Sequence, residues 1–178
     1  MIVEVNKELK NSIECLLFVS GEPLALKKIA QIVDTDVPVV ESLLRQLQDE
    51  YQGRGLMILE VAGGFQMCTN SQYACWISKL SNSPNNDKLS LGALETLAII
   101  AYNQPVTKAE IEFVRGVNSV AQIQKLLEKR LVRVLGRKDV PGHPFLYGTT
   151  KEFLKCFGLT DISYLPPIDM EKRVELVA

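Results

Sequence analysis

The sequence contains few of the residues from which metal and catalytic centres are usually built. It has one histidine, His143, and four cysteines, none of them in a C-x-x-C spacing. Zinc sites and histidine-dependent catalysis need several such side chains close together, so we predict no metal site, no catalytic residues and no cofactor. The protein is therefore not expected to be an enzyme. Cys15 falls on an apolar helical face, which predicts a buried thiol.

The sequence also lacks a long apolar run and a strong excess of charge. No stretch is long enough to span a bilayer and the start does not resemble a signal peptide, so we expect a cytoplasmic protein without membrane contact. The formal net charge is −1. Residues 1–80 hold seven basic and ten acidic residues, and residues 90–150 hold eight and five. Neither stretch has the basicity typical of many phosphate contacts, so DNA binding is expected to be weak at most.

What the sequence does contain is a clear order of elements from Ser90 to Thr150. The first helix carries an apolar stripe and ends at Gln104-Pro105, because proline lacks the N–H. That stripe is Leu91, Leu94, Ala98 and Ala101. Thr107 and Glu110 form a predicted capping box at the start of the second helix, which Gly116 closes.

A third helix and a hairpin complete this stretch. Ser119 and Gln122 predict another capping box, and the helix after it has one apolar face. That face is Val120, Ile123, Leu127 and Leu131. Residues 131–136 and 145–147 read as two strands joined by a long loop, 137–144. Three helices followed by a hairpin are the order of a winged helix-turn-helix domain.

The same order is predicted in the first half of the chain. Helices are expected at 4–20, 26–33 and from Asp36 or Pro38 to Tyr51, followed by strands 56–61 and 65–68 around a tight Gly63-Gly64 turn. A final helix begins at Asn70 or Ser71. Three positions repeat at one constant offset: Pro23, Ile29 and Ile32 match Pro105, Ile111 and Val114.

We therefore predict an α+β fold, mainly helical, with two tandem winged helix-turn-helix domains. The first domain covers 1–80, where it is expected to dimerise. A linker covers 81–88, since it has no apolar residue before Lys88 to bury. The second domain covers 89–158, and a tail covers 159–178.

Two uses of this fold stay open on the residues alone, DNA reading and protein binding. Basic residues on the third helix and the hairpin predict one surface that suits either use. They are Lys125, Lys129, Arg130, Arg133, Arg137 and Lys138. In the first domain, four aromatic residues exceed what a small core hides and are predicted at a homodimer interface. They are Phe18, Phe65, Tyr73 and Trp76, although Trp76 alternatively packs under its own hairpin.

Several segments resemble the bacterial segregation and condensation protein B family. They are residues 93–102 (ALETLAIIAY), 104–105 (QP), 111–112 (IE), 115–119 (RGVNS), 136–139 (GRKD), 141–142 (PG), 146–153 (LYGTTKEF) and 165–167 (LPP). The first half matches mainly in layout, with residues 18–24 (FVSGEPL) the most similar segment. Two positions depart from the family pattern: His143 replaces a usual arginine, and Val120 stands where an acidic or small polar residue is frequent.

The resemblance implies a homodimer with a non-enzymatic role in chromosome condensation and segregation, in the cytoplasm and on the nucleoid. Such proteins bind the kleisin subunit, segregation and condensation protein A, which links them to the SMC ATPase. For this partner we predict an apolar groove with Lys125, Lys129, Arg137 and Lys138 at its rim and Tyr147 as a buried anchor. The alternative function is a dimeric winged-helix transcription regulator that binds DNA.

Overall fold

The computed structural model of the protein describes residues 2–81 and 88–167. Most of the predicted linker (82–87) and the end of the predicted tail (168–178) lie outside the described residues. We call residues 2–81 the first part and residues 88–167 the second part. The fold mixes helices with two small antiparallel sheets, and helices predominate.

In the first part, three helices precede a hairpin and a short final helix. They are α1 (Ile2–Ser20), α2 (Leu26–Ile32), α3 (Val37–Glu50), β1 (Leu56–Val61), β2 (Gly64–Thr69) and α4 (Ala74–Ser81). A 3-10 turn, Ser71–Tyr73, leads into α4, and the Asn70 side chain caps it by accepting from Gln72 N at 3.0 Å. The predicted bounds of α1–α3 and of both strands agree with the structure to within two residues.

The core of the first part lies between α1, α2, α3 and one face of the hairpin. The inward stripe of α3 recurs at helical spacing because three to four residues make one turn. The buried side chains of this core include Ile13, Leu17, Ile29, Val40, Leu43, Leu44, Leu47, Ile58 and Phe65. Of these, Ile13 and Leu17 lie on one face of α1, and Val40, Leu43, Leu44 and Leu47 lie on one face of α3.

The turn of the first hairpin lies one residue earlier than predicted. Val61 pairs with Gly64, so the turn residues are Ala62 (φ 51°) and Gly63 (φ 76°). Gly64 belongs to β2 and has a different role. A Cβ at this position would lie 2.7 Å from the backbone carbonyl atoms of Leu24, because Leu24 and Phe65 exchange two hydrogen bonds of 2.9 Å. Only glycine allows this close approach of the two chains.

The second part repeats the order of three helices and a hairpin and adds a short strand. Its elements are α5 (Leu91–Asn103), β3 (Val106–Thr107), α6 (Lys108–Arg115), α7 (Val120–Glu128), β4 (Val132–Arg137), β5 (Phe145–Thr149) and α8 (Lys151–Phe157). β5 lies in the middle of the sheet, between β3 and β4. The predicted capping box of α6 is confirmed: Glu110 accepts from Thr107 N at 2.7 Å, and Gly116 ends the helix with φ 72°.

The buried face of α5 is not the predicted one. Leu91 and Leu94 are exposed, as is Ala98, and only Ala101 of the predicted stripe is buried. The inward residues are Ala93, Thr96, Leu97, Ile100 and Ala101. The prediction was wrong because α5 is apolar on nearly every side, so its sequence does not define one face. The buried face of α7 is also shifted: Ile123 and Leu126 are inside and Val120 is exposed.

The predicted capping box at Ser119 does not form. The Ser119 hydroxyl donates to Val117 O at 3.2 Å and accepts from Arg115 Nη1 at 3.0 Å, so it is not available to α7. Asn118 Oδ1 accepts instead from Val120 N at 3.1 Å. The side chain one position earlier therefore satisfies the first N–H of the helix.

The two parts contact each other through the turn of the first hairpin. Ala62 N donates to Leu159 O at 2.9 Å, and the Thr160 hydroxyl donates to Glu60 O at 3.1 Å. Both acceptors are main-chain oxygens. The segment that follows α8 thus lies along the end of the β1–β2 hairpin.

Candidate interaction surfaces

Helix α4 and the turn before it lack cover from the rest of the described chain. Every side chain from Ser71 to Leu80 is exposed. Trp76 is 64% exposed and Leu80 is 86% exposed, and the Lys79 ammonium lies over the Trp76 ring at 4.6 Å. Trp76 therefore does not pack under its own hairpin. A helix with a tryptophan and a leucine in water is typical of an interface that another chain covers.

A second apolar surface of the first part lies on α1. Phe18 is 71% exposed and, with Leu56 and Met67, lines a shallow hollow of about 290 Å³. Cys15 lines the same hollow and is exposed, so the prediction of a buried thiol was wrong. The reason is that α1 is apolar on two sides, and only the side with Ile13 and Leu17 faces the core.

Phe65 has to be removed from the predicted dimer contacts. Its ring is 1% exposed and lies in the core of the first part, with the Arg45 guanidinium over it at 5.3 Å. A count of aromatic residues predicts that some stay outside the core, but it does not identify which one the hairpin buries. Phe18, Tyr73 and Trp76 are exposed and stay predicted contacts.

In the second part, two of the predicted rim cations are engaged within the hairpin loop and its neighbours. The Arg137 guanidinium stacks over the Phe145 ring at 4.3 Å and donates to His143 O at 3.1 Å. The Lys138 ammonium donates to Glu110 Oε1 at 2.7 Å, across the space between β4 and α6. The loop is thereby connected to α6 by an ion pair that the sequence prediction did not include.

The pKa of Glu110 reports this ion pair. The Lys138 ammonium, together with the N–H and hydroxyl of Thr107, lowers the pKa of the Glu110 carboxyl to about 2. Hydrogen bonds to the charged form explain the direction of the shift. Glu110 thus has two structural roles, as the N3 residue of the capping box that Thr107 begins and as the partner of the hairpin loop.

The other predicted contact residues occupy positions that leave them accessible in part. Lys125 and Lys129 lie one turn apart at the end of α7 and are both half-buried. Tyr147 lies in β5 between Val106 and Val134, and its half-buried ring packs against the core of the second part. The prediction that these residues bind a partner remains a prediction.

One exposed surface was missed in the sequence analysis. Phe113 on α6 is 88% exposed and Leu91 at the start of α5 is 74% exposed, and Val117 between α6 and α7 is exposed as well. Phe113 lies on α6 outside the stripe of the buried Ile111, and Val117 follows Gly116, which ends that helix. A large apolar residue outside the buried face of an amphipathic helix is the signal that identifies such a surface.

Arg115 connects the helices beside this surface. Its side chain is 8% exposed, Nη2 contacts Glu95 Oε2 at 3.2 Å on α5, and Nη1 donates to the Ser119 hydroxyl before α7. Gly92 lies against the guanidinium, since a Cβ there would be 3.1 Å from Nη2. The arginine therefore holds α5, α6 and α7 in register.

Neither a metal site nor a membrane-spanning helix is present in the parts of the chain that the structure describes. No group of three or more histidine, cysteine, aspartate or glutamate side chains there is arranged to hold a metal ion. Among the described helices, none is both long and apolar enough to cross a membrane.

Comparison with known proteins shows the family. The family model described as "Segregation and condensation complex subunit ScpB" matches residues 11–168. The chain belongs to the segregation and condensation protein B family. It is 49% identical over 172 residues to segregation and condensation protein B of Clostridium perfringens, covering 94% of this chain and 88% of the relative. With the Syntrophotalea carbinolica protein of the same name it shares 48% over 163 residues, 90% of this chain and 82% of the relative.

Two solved structures from the segregation and condensation protein B family are also similar to this chain. "ScpB from Mycobacterium tuberculosis" is 34% identical, with a TM-score of 0.42, over 87% of this chain and 98% of that one. A "dimer of ScpB N-terminal domain complexed with ScpA peptide" is 28% identical, with a TM-score of 0.40, over 42% of this chain and 95% of that one. The predicted family resemblance is confirmed by the sequence matches, which extend through both parts of the chain.

Proposed function

We propose that this chain is a non-enzymatic subunit of the bacterial condensin-like SMC complex. In this role it binds the kleisin subunit, segregation and condensation protein A, and through it the SMC ATPase, and it acts in chromosome condensation and segregation. The observation that carries the proposal is the family match over residues 11–168, to a family described as a complex subunit. The exposed apolar surfaces of both parts support the proposal, because exposed apolar patches mark sites of contact with other proteins.

In this proposal each part is a winged helix-turn-helix domain. The first domain covers 1–80 and the second covers 89–158, with 81–88 as linker and 159–178 as tail. The support is the repeated order of three helices and a hairpin, and the separation of the buried side chains into two clusters, one in each part.

The homodimer is proposed to form through the first part. Trp76 and Tyr73 on the uncovered α4 segment and Phe18 on α1 supply the apolar contacts. A tryptophan that loses water on association is among the residue types that contribute most to interface stability. The net charge of the first part, with seven basic and ten acidic residues in 1–80, does not prevent association of two copies at physiological salt.

The kleisin is proposed to bind the second part. Tyr147 is the anchor, since it presents a half-buried ring in the central strand of the sheet, and Lys125 and Lys129 contribute charge at the rim. Arg137 and Lys138 act at the rim mainly by fixing the hairpin loop through Phe145 and Glu110. A loop that is ordered before binding loses less conformational entropy when a partner docks.

The test is the mass of the complex formed by the full chain and its candidate kleisin, measured by light scattering after gel filtration. We expect one species that contains the kleisin and at least two copies of this chain. Trp76→Ala is expected to weaken self-association by roughly 2 kcal/mol, about thirtyfold, because Trp76 is an interface anchor. Phe113→Ala is the control, since Phe113 is an aromatic residue on the second part that is even more exposed than Trp76.

Three results separate the parts of the proposal. Failure of the wild-type chain to bind the kleisin contradicts the function itself. A Trp76→Ala chain that stays dimeric contradicts the α4 interface alone. Sequence-selective DNA binding with a dissociation constant below about 1 μM at physiological salt favours the transcription regulator, since non-specific DNA binding is weaker than that.

A further inference from the structure

A hollow of about 400 Å³ with both apolar and charged lining residues lies on the second part, where α8 follows β5. Arg133 from β4 and Lys151 from the first turn of α8 line it, next to Thr149 and Thr150. The backbone of Arg130 lies next to them, because the Thr150 hydroxyl donates to Arg130 O at 2.5 Å. Two cationic side chains, Arg133 and Lys151, thus line one hollow.

Arg133 and Lys151 are not neutralised by acids in the described residues. Several other cations of the second part are paired, among them Lys138 with Glu110, and Lys155 with Glu152 at 2.9 Å. Neither Arg133 nor Lys151 makes an ion pair within 2–81 or 88–167. Lys151 also stands at the N-terminal end of α8, where the helix dipole disfavours a positive charge. The stability of the fold therefore does not account for its position.

The hydrogen-bond acceptors in the hollow are largely used by the protein. Gln104 Oε1 accepts from the N–H of Thr149 at 2.7 Å and from its hydroxyl at 3.1 Å. Asp161, the one acid among the lining residues, accepts from Ser163 N at 3.0 Å through Oδ1. What remains free is an excess of N–H donors on the Arg133 guanidinium and the Lys151 ammonium, against one Asp161 oxygen.

We propose that this hollow contacts the phosphodiester backbone of duplex DNA without reading its sequence. A phosphodiester is negative and only accepts hydrogen bonds, and guanidinium groups bind phosphate oxygens with two parallel donors. A peptide is a poorer occupant, because its backbone N–H groups need acceptors and those of the hollow are engaged. The contact goes beyond the proposed function and does not depend on it.

This contact lies away from the face that a winged helix uses to read bases. That face is the start of α7 and the hairpin loop, where Asn118 caps the helix and Lys138 is paired with Glu110. The hollow lies near the other end of α7, which ends at Glu128. DNA bound there leaves the exposed Phe113 and the start of α7 free for a protein partner.

The test is a titration of the full chain into two labelled duplexes of unrelated sequence, at several salt concentrations from 50 to about 200 mM. We expect equal affinities for both duplexes and a dissociation constant of roughly 10⁻⁴–10⁻⁶ M at physiological salt. Log K is expected to fall against log salt with a slope of about −1.8, which is 0.9 for each of two phosphate contacts.

The variants act in opposite directions. Arg133→Gln and Lys151→Gln are each expected to reduce the slope by about 1 and to weaken binding about tenfold at low salt. Asp161→Asn is expected to strengthen binding, because it removes the negative charge and keeps a capping side chain for Ser163 N. Lys125→Gln and Lys138→Gln are the matched controls on the α7 and loop face, and they are expected to leave the slope unchanged.

Three results overturn the proposal. In the first, Lys125→Gln or Lys138→Gln reduces the salt slope, whereas Arg133→Gln and Lys151→Gln leave it unchanged. This result places DNA on the face formed by α7 and the hairpin loop. The second is Arg133-dependent binding of polyglutamate without DNA binding, which makes the hollow a protein site. The third is inorganic phosphate competing with DNA beyond its effect on ionic strength, which makes it a small-anion site. Lys151 is exposed, so its variant keeps the test valid if Arg133→Gln fails to fold.

Discussion

Both parts of the molecule contain the same pairing of two backbone segments, but different side chains and loops pack around it. Leu24 pairs with Phe65 in an isolated antiparallel bridge, and Val106 pairs with Tyr147 in the three-stranded sheet. Each residue of the second pair lies 82 positions after its counterpart in the first. The same offset relates Pro23 to Pro105 and Ile29 to Ile111, and both isoleucines are fully buried.

The side chains at this shared pairing have different surroundings. Phe65 is enclosed by the core of the first part, while Tyr147 is half-buried. The hairpin of Phe65 has a two-residue turn, and that of Tyr147 has a long loop held by Lys138 and Glu110. A repeated order of elements thus determines which backbones pair, while the role of each side chain depends on what packs over it.

The largest expected effect tests this difference directly. Phe65→Ala is expected to lower the free energy of unfolding by about 3–5 kcal/mol, because it leaves a cavity in a closed core. Tyr147→Ala is expected to lower the free energy of unfolding by about half as much. It is also expected to weaken kleisin binding by roughly 2 kcal/mol. Urea denaturation of the full chain, with calorimetry against a kleisin peptide, measures both. Tyr147→Phe is the control and retains stability.

Equal losses of stability from Phe65→Ala and Tyr147→Ala would contradict the comparison, since both residues would then be core. Unchanged kleisin affinity in a folded Tyr147→Ala chain would show that Tyr147 is not the anchor.

A smaller effect is expected at the close approach of the first pairing. Gly64→Ala places a Cβ 2.7 Å from backbone atoms of Leu24, which have no flexible end to move. We expect a loss of about 1–3 kcal/mol, typical of overpacking. Gly55→Ala is the matched control, because no atom lies within 4 Å of its added Cβ and its backbone is unstrained. Thermal unfolding of both variants tests this expectation. Equal unfolding midpoints would mean that the backbone of the first hairpin shifts to accommodate the added Cβ without loss of stability.

The smallest expected effect concerns the ion pair that only the second hairpin has. Glu110→Gln keeps a side chain able to cap α6 and removes the charge that faces Lys138. Both side chains are more than two-fifths exposed, so the loss near neutral pH is expected to stay below about 1 kcal/mol.

The pH dependence of this loss has a definite sign. The pKa of Glu110 is lowered from 4.5 to about 2 in the folded chain, so its stabilising effect is present above pH 4.5 and disappears as the pH falls towards 2. The free energies of unfolding of the wild type and of Glu110→Gln should therefore converge as the pH falls towards 2. A difference that persists at pH 2 would show that the ion pair is not its source.

Much of the fold was predictable because local signals agree with the tertiary structure. The α6 box of Thr107 and Glu110 closes within four residues, and the strands β1 and β2 flank a turn marked by glycine. β3 was not predictable, since two residues have no period to detect. The Ser119 hydroxyl was misassigned because Arg115, four residues away, competes for it in the folded chain.

The sequence predicted the kind of surface that each part carries, but not all of the residues that form it. The excess of aromatic residues in the first part correctly indicated exposed rings, as at Trp76 and Phe18, although Phe65 fills the core. The basic residues of the second part were treated as one surface, whereas Lys138 is paired and Arg133 lines a separate hollow. Charge compensation depends on which acids the fold brings close, and a count of charges does not contain that information.

The contact between the two parts has a consequence for how the sequence can vary. It runs from Ala62 N to Leu159 O and from the Thr160 hydroxyl to Glu60 O, so three of its four groups belong to the main chain. Every residue type except proline carries the same N–H and C=O. Substitutions at Glu60, Ala62 and Leu159 thus leave these bonds intact as long as the backbone path is kept. Of these four groups only the Thr160 hydroxyl belongs to a side chain, so Thr160 is the position at which a substitution removes one of the two bonds.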